Sequence, residues 1–245
     1  MRRILRALAL VLTCALPVAA LAQGFTEAQR AEIVDILRRA LREDASILRD
    51  AIGGLEAAEQ AARQAAQRDA LTAQAAALFR DAADPVKGNP RGDVTLVEFF
   101  DARCGYCKQL HPTMEALIRR DPNLRVVMKD LPILGPTSVL ASRALLAAQR
   151  QGRYGPLYDA LMALRVEPTE AVIRQQAERA GLDWARLRRD MDDPAVQARI
   201  ETNLRLAQAL GIEGTPALVV GTTLVPGAVD LPALERLVAE ARAAR

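Results

Sequence analysis

Metal-ligating side chains are almost missing from this chain. It holds one histidine, three cysteines and five scattered methionines in 245 residues. A tetrahedral zinc site could draw only on Cys104, Cys107 and His111 plus a carboxylate or water, since Cys14 falls in a segment expected to be removed. Dedicated copper storage is disfavoured for the same reason: there is no Met-rich stretch. No metal and no cofactor is expected. Net charge is also lacking. The formal +3 comes from Arg2, Arg3 and Arg6; residues 1–22 carry no acid, so the rest balances at 30 basic and 30 acidic residues. Nothing in that balance points to nucleic acid or an anionic lipid surface.

A membrane-length apolar run is absent too. Leu8–Val18 is too short for a comfortable span. With the basic residues before it and Ala20-Leu21-Ala22 after it, the segment reads as a secretory signal, residues 1–22, cut before Gln23. Leu12-Thr13 places no small residue directly before Cys14, which argues against a lipid-anchored cysteine. Cleavage would leave Cys104 and Cys107 as the only thiols of an exported protein, which fits a disulfide-handling compartment.

What is present begins with helix. Residues 23–83 read as an N-terminal helical region. Thr26-Glu27-Ala28-Gln29 fits a capping box. Ile33, Leu37 and Leu41, then Ile47, Leu48, Ala51, Ile52 and Leu55, form an apolar stripe, and Gly53-Gly54 is expected to end or bend the helix. An Ala-rich helix, 55–79, follows like a spacer. The stripe needs a partner: either the home domain or, as favoured here, the same helices of another subunit, through residues 26–50. The turn-rich stretch 84–93 then leads into a catalytic domain, 84–245.

In that domain Val94–Asp101 reads as a buried central strand, Lys108–Arg120 as a helix and Leu124–Leu131 as a second strand. Strand–helix–strand order implies a right-handed parallel crossover. A helical insertion covers about 137–205. A hairpin around Gly221 and a closing helix, Pro232–Ala244, complete the chain. The expected class is α/β: a thioredoxin fold with a helical insertion and an N-terminal helical extension.

Cys104-Gly105-Tyr106-Cys107 lies between the first strand and its helix. Unpaired N–H groups and the dipole at a helix start favour negative charge, and a free cysteine titrating near ~8.5 can be lowered by several units there. Cys104 is thus the expected nucleophile and Cys107 its resolving partner. A purely structural disulfide over so short a loop would gain little. Tyr106 is exposed between them and available to substrate. Glu98, six residues earlier, is the one charge in an apolar strand, where ionisation is costly; it sits either at an edge or buried as a working acid. His111 is four residues after Cys107 on the same helix face, but Pro112 leaves open whether it faces the thiols. Trp184 is expected to pack its helix. Read alone, Gly214-Thr215-Pro216 is an ordinary turn.

The run Glu98–Lys108 resembles the active site of DsbA-like thioredoxin-fold proteins. Lys129–Pro136 and Gly211–Ala217 narrow the resemblance to the Com1-like and ScsC (suppressor of copper sensitivity C) group, over nearly the whole mature chain. That resemblance implies that Thr215-Pro216 is a cis-proline loop lying against the C-x-x-C, with Gly105, Tyr106, Thr215 and Pro216 meeting the substrate. It implies that Glu98 is buried beneath Cys107 and exchanges its proton. Thr215 with Gly105-Tyr106 is similar to the disulfide isomerases rather than the strong oxidants. The partners implied are periplasmic client proteins with cysteines and a membrane redox partner that resets the dithiol. The expected activity is disulfide isomerase or reductase chemistry; a monomeric dithiol oxidase, or a copper-tolerance protein, are the alternatives.

Overall fold

The computed structural model describes residues 25–244; the expected signal segment and Cys14 lie outside them. The chain divides into two compact units, Met1–Glu59 and Gln60–Arg245. In the first, α1 (Glu27–Glu43) opens with the expected capping box: Gln29 N–H donates to Thr26 Oγ1 at 3.3 Å, and Thr26 N–H to Gln29 Oε1 at 2.9 Å. No residue of α1 is buried. The helix ends at Asp44, whose carboxylate takes the Ser46 N–H at 2.9 Å, and α2 (Ala45–Ala73) starts beside it.

Gly53 and Gly54 do not end α2, the first of the two outcomes expected of them. Each glycine costs about 1 kcal/mol against alanine, yet the surrounding Ala-, Leu- and Glu-rich turns carry the helix through. The break comes instead where an Asp side chain competes for backbone N–H groups. Along both helices Ile33, Ile36, Leu37, Leu41, Leu48 and Leu55 are exposed.

The second unit takes in the end of α2, α3 (Ala75–Phe79) and a five-stranded sheet in the order β1-β3-β2-β4-β5. These are β1 (Val86–Gly88), β2 (Val94–Phe100), β3 (Leu124–Asp130), β4 (Ala217–Val220) and β5 (Thr223–Pro226). Only β2 and β3 are parallel, joined through α4 (Gly105–Arg120); the other pairings are antiparallel. The short β1 was read as loop. Three residues ending at Gly88, with Asn89 and Pro90 behind, carry turn chemistry and no alternation, so only its pairing with β3 makes it a strand.

Strand alternation sorts β2 between two cores. Leu96 and Phe100 enter the larger cluster with Cys107, Leu110, Met114, Tyr158 and Leu218. Val97 and Phe99 enter the other, with Leu71, Leu78, Val127, Leu206 and Val219. Glu98 therefore shares the face of Leu96 and Phe100. The insertion is five helices: α5 (Pro136–Gln149), α6 (Tyr154–Met162), α7 (Glu170–Arg179), α8 (Trp184–Met191) and α9 (Pro194–Ala209). Thr169, Asp183 and Asp193 cap the last three, and Trp184 packs on the larger core as expected. A closing helix, α10 (Leu231–Ala243), packs against α4 and β2. Lys129, fully buried, holds residues 77–84 to β3 by donating to Ala77 O at 2.7 Å and Asp84 Oδ2 at 2.6 Å. No helix among the described residues is long and apolar enough to cross a membrane.

Candidate active site

Cys104 is the N-cap residue of α4, with extended backbone (φ −64°, ψ 123°), so the helix begins at Gly105 rather than Lys108. The turn before it is fixed by a buried carboxylate. Asp101 accepts Arg103 N–H at 2.8 Å, and its other oxygen accepts the N–H groups of Ile133 and Leu134 at 2.9 and 3.1 Å. One aspartate thus ties the segment entering the helix to the loop leaving β3. Cys104 N–H bonds Asp101 O at 3.0 Å.

The Thr215–Pro216 bond is cis, as the resemblance implied. The loop meets the dithiol directly: Cys104 Sγ donates to Thr215 O at 3.2 Å. Both cysteines are free thiols, and they differ in access. Cys104 keeps 7% of its surface in contact with solvent, while Cys107 keeps none. Burial pushes the Cys107 thiol far above its ordinary range; the Cys104 and Glu98 charges push the same way, and hydrogen bonds at the Asp101 backbone and the Thr215 side chain only partly oppose it. Cys107 is held as a protonated thiol that needs a base before it can attack. Tyr106 is exposed, and added atoms at Gly105 would meet nothing within 4 Å.

Glu98 is fully buried, which decides the edge-or-buried question left by the sequence. Tyr158 O–H donates to its Oε2 at a long 3.4 Å, and Oε1 has no hydrogen-bond partner. Burial lifts the Glu98 carboxyl to about 7; Glu115 adds to that, while Lys87 and Tyr158 oppose it. A carboxyl so poised can hold or release a proton at neutral pH.

Sequence reasoning missed the surroundings of Glu98. Tyr158 packs edge-on against Phe100, 4.9 Å between centroids. Lys87 Nζ sits 4.7 Å from the Tyr158 ring centre. The ammonium pairs with Glu115 at 2.6 Å and also with Asp159. His111 turns toward this group: its ring lies 5.3 Å from that of Tyr158 and its Nε2 3.7 Å from Asp159. Burial, and after it Lys87, push its pKa below the ordinary histidine value, against the pull of Asp159 and Glu115. Ligand atoms of His111, Glu115 and Asp159 come within 4.8 Å of one another, but Lys87 already supplies the cation there. Tyr154 O–H donates to the buried Asp130 at 3.0 Å, and burial lifts that carboxyl to about 7 as well. No local pattern marks Lys87, Tyr154 or Tyr158, which come from β1 and from the helical insertion.

Residues 95–239 match the DSBA-like thioredoxin domain family. A thioredoxin-like oxidoreductase from Silicibacter pomeroyi DSS-3 is 45% identical and superposes with a TM-score of 0.68, covering 69% of this chain and 98% of its own. A linker-deletion mutant of Proteus mirabilis ScsC is 30% identical with a TM-score of 0.68, covering 92% of this chain and 100% of its own. Among curated relatives, Na(+)/H(+) antiporter NhaA 3 of Salinispora tropica is 31% identical over 160 residues, 64% of this chain. The match spans only 24% of that antiporter's length.

Proposed function

The chain belongs to the DsbA-like thioredoxin-domain family of thiol–disulfide oxidoreductases, and on that premise we propose that it is a periplasmic disulfide isomerase or reductase of cysteine-containing client proteins. The observation that carries this reading is the contact between Cys104 Sγ and Thr215 O at 3.2 Å, with Cys107 sealed behind it. A client strand laid along Thr215 would present its disulfide to Cys104.

The Cys104 thiolate attacks one client sulfur, forming a mixed disulfide and releasing the other client sulfur as a thiolate. Two outcomes follow. In isomerisation the client's own thiolate attacks the mixed disulfide, makes a new client disulfide and frees Cys104. In reduction Glu98 takes the Cys107 proton, Cys107 attacks Cys104 Sγ, and the second client thiolate leaves and is protonated. The second route leaves the Cys104–Cys107 pair oxidised by two electrons, so a membrane dithiol partner must return them.

Isomerase work is favoured by the apolar stripe of α1 and α2. Ile36, Leu37, Leu48 and Leu55 each leave more than half of their surface exposed, and burying each would contribute roughly 1.5–3 kcal/mol. Self-association through residues 26–50 would cover Ile36, Leu37 and Leu48 and hold several Cys104 sites near one client at high effective concentration. Export is supported by the basic and apolar segment at residues 2–22. Refolding of a scrambled-disulfide client, run beside sedimentation of the mature protein, tests both parts. A monomer at micromolar concentration with oxidase activity alone would replace this reading with the dithiol oxidase.

A further inference from the structure

Beside the nucleophile lies a groove that exchange chemistry alone does not require. It has a volume of about 520 Å³, and Arg103, Lys108 and Arg165 line it together with Leu164, Val166 and Pro168. The two chain neighbours of Cys104, Arg103 and Gly105, both border it, so it lies alongside the start of α4. Thr215 and Pro216 border a separate cavity of about 350 Å³. A client crossing Cys104 thus has two distinct places for the residues flanking its cysteine.

The charges of the groove do not cancel. Glu167 is its one surface carboxylate, and both oxygens are engaged, one by Arg103 Nη2 and the other by Thr137 Oγ1 at 2.8 Å. That pairing consumes the charge of Arg103. Lys108 Nζ donates to a neutral partner, Leu164 O, at 2.7 Å. Arg165 is exposed and has no ion-pair partner among the described residues. Asp101 lies nearby, but it is fully buried with its oxygens turned to three backbone N–H groups. Arg165 therefore stays open beside apolar walls, and Lys108, half-buried, leaves its charge shared between Leu164 O and the field of Glu167. An acidic side chain fits that chemistry, with an apolar stem against Leu164 and Val166 and a carboxylate tip between Lys108 and Arg165. A basic residue would be repelled there.

We infer that this groove is a specificity subsite for client segments carrying Asp or Glu close to the reactive cysteine, an inference that rests on the exchange reading above. The chemistry is unchanged by it: the same sulfurs exchange, and the groove adds attraction for one flank of the incoming chain. The test uses the reduced mature protein with short peptides whose single cysteine is a thiopyridyl mixed disulfide. The residues two positions either side of that cysteine are Glu, Gln or Lys. Attack by Cys104 is followed by thiopyridine release, with neutral dipyridyl disulfide as the reference reagent.

Glu peptides are expected to react about fivefold faster than Gln peptides at low salt, the size of one good exposed ion pair. Lys peptides should be slower still, and the three should converge in about 0.5 M salt as the charges are screened. Arg165→Gln should shrink the preference and Arg165→Glu should reverse it, while the neutral reagent reacts at an unchanged rate in both. Equal rates for Glu and Lys peptides would overturn the subsite, as would a preference that survives Arg165→Glu. Failure of every peptide and of the neutral reagent to react would instead remove the exchange reading itself.

Discussion

In the helices before Gln60, Ile36, Leu37, Leu48 and Leu55 lie open to solvent; in the sheet unit Leu96, Val97, Phe99 and Phe100 are sealed, and even Glu98 is shut in among them. The two regions use the same apolar alphabet for opposite ends. Around the sheet, apolar residues find partners within the chain, leaving an interior dry enough to raise a carboxyl and a thiol far above their ordinary values. In α1 and the start of α2 the amphipathic pattern is as clear, yet among the described residues its large apolar side chains stay exposed. An exposed stripe of that length motivates the self-association proposed above, as the buried, half-satisfied Glu98 motivates its proposed proton transfer.

The sharpest way to break this comparison is at the sulfur. Cys104→Ser should abolish disulfide exchange, whereas Cys107→Ala should accumulate mixed disulfides at Cys104, visible on non-reducing gels. Residual reduction of insulin by Cys104→Ser would overturn the nucleophile. Removing residues 24–54 comes next. The product should be a folded monomer that keeps simple dithiol reactivity but loses most isomerase activity; a truncated protein as active as the full chain on scrambled clients would leave the stripe without its proposed role.

Stability should separate the regions more quietly. Phe99→Ala, in a sealed core, should cost about 3–5 kcal/mol in denaturant unfolding. Leu37→Ala should leave unfolding of the sheet unit within about 0.5 kcal/mol of the parent and weaken self-association instead. If Leu37→Ala destabilised the sheet unit as much as Phe99→Ala, the stripe would have to be packed on that unit.

The smallest effect depends on pH. Glu98 has a folded pKa near 7 against an ordinary value of 4.5, so the native state binds its proton more tightly than the unfolded chain does. Its contribution is fully present below about 4.5 and is lost as pH rises through about 7. Glu98→Gln should therefore gain stability relative to the parent between pH 5 and 8, by an amount on the order of 3 kcal/mol at most. The variant should also slow resolution by Cys107 near neutral pH. A flat difference across that range would show that Glu98 titrates normally.

Much of the fold was legible because it follows from local rules. The apolar run 94–100 feeding Cys104, the cap at Thr26 and the helix–strand order all carry their signal within a few residues. Of the candidate site, Cys104, Cys107, Glu98 and the Thr215-Pro216 loop were visible through spacing and resemblance. Lys87, Tyr158 and Asp101 were not. Lys87 sits in a stretch dominated by turn residues, and Tyr158 lies 60 residues from Glu98 in the chain. Gly53-Gly54 does not end the helix as one arm of the expectation had it: a local breaker was outweighed by the helix formers around it.

By itself, then, the sequence determined where the dithiol sits, which element follows it and which faces are apolar, since these depend on neighbours three or four residues apart or on strand alternation. Only the tertiary structure decided which sulfur is accessible, that Glu98 is buried rather than at an edge, and which cations line the groove beside Arg103 and Gly105. Those properties depend on burial and on charges brought together from β1, α4, α6 and the 163–168 loop, and desolvation acts only once the chain has closed around them.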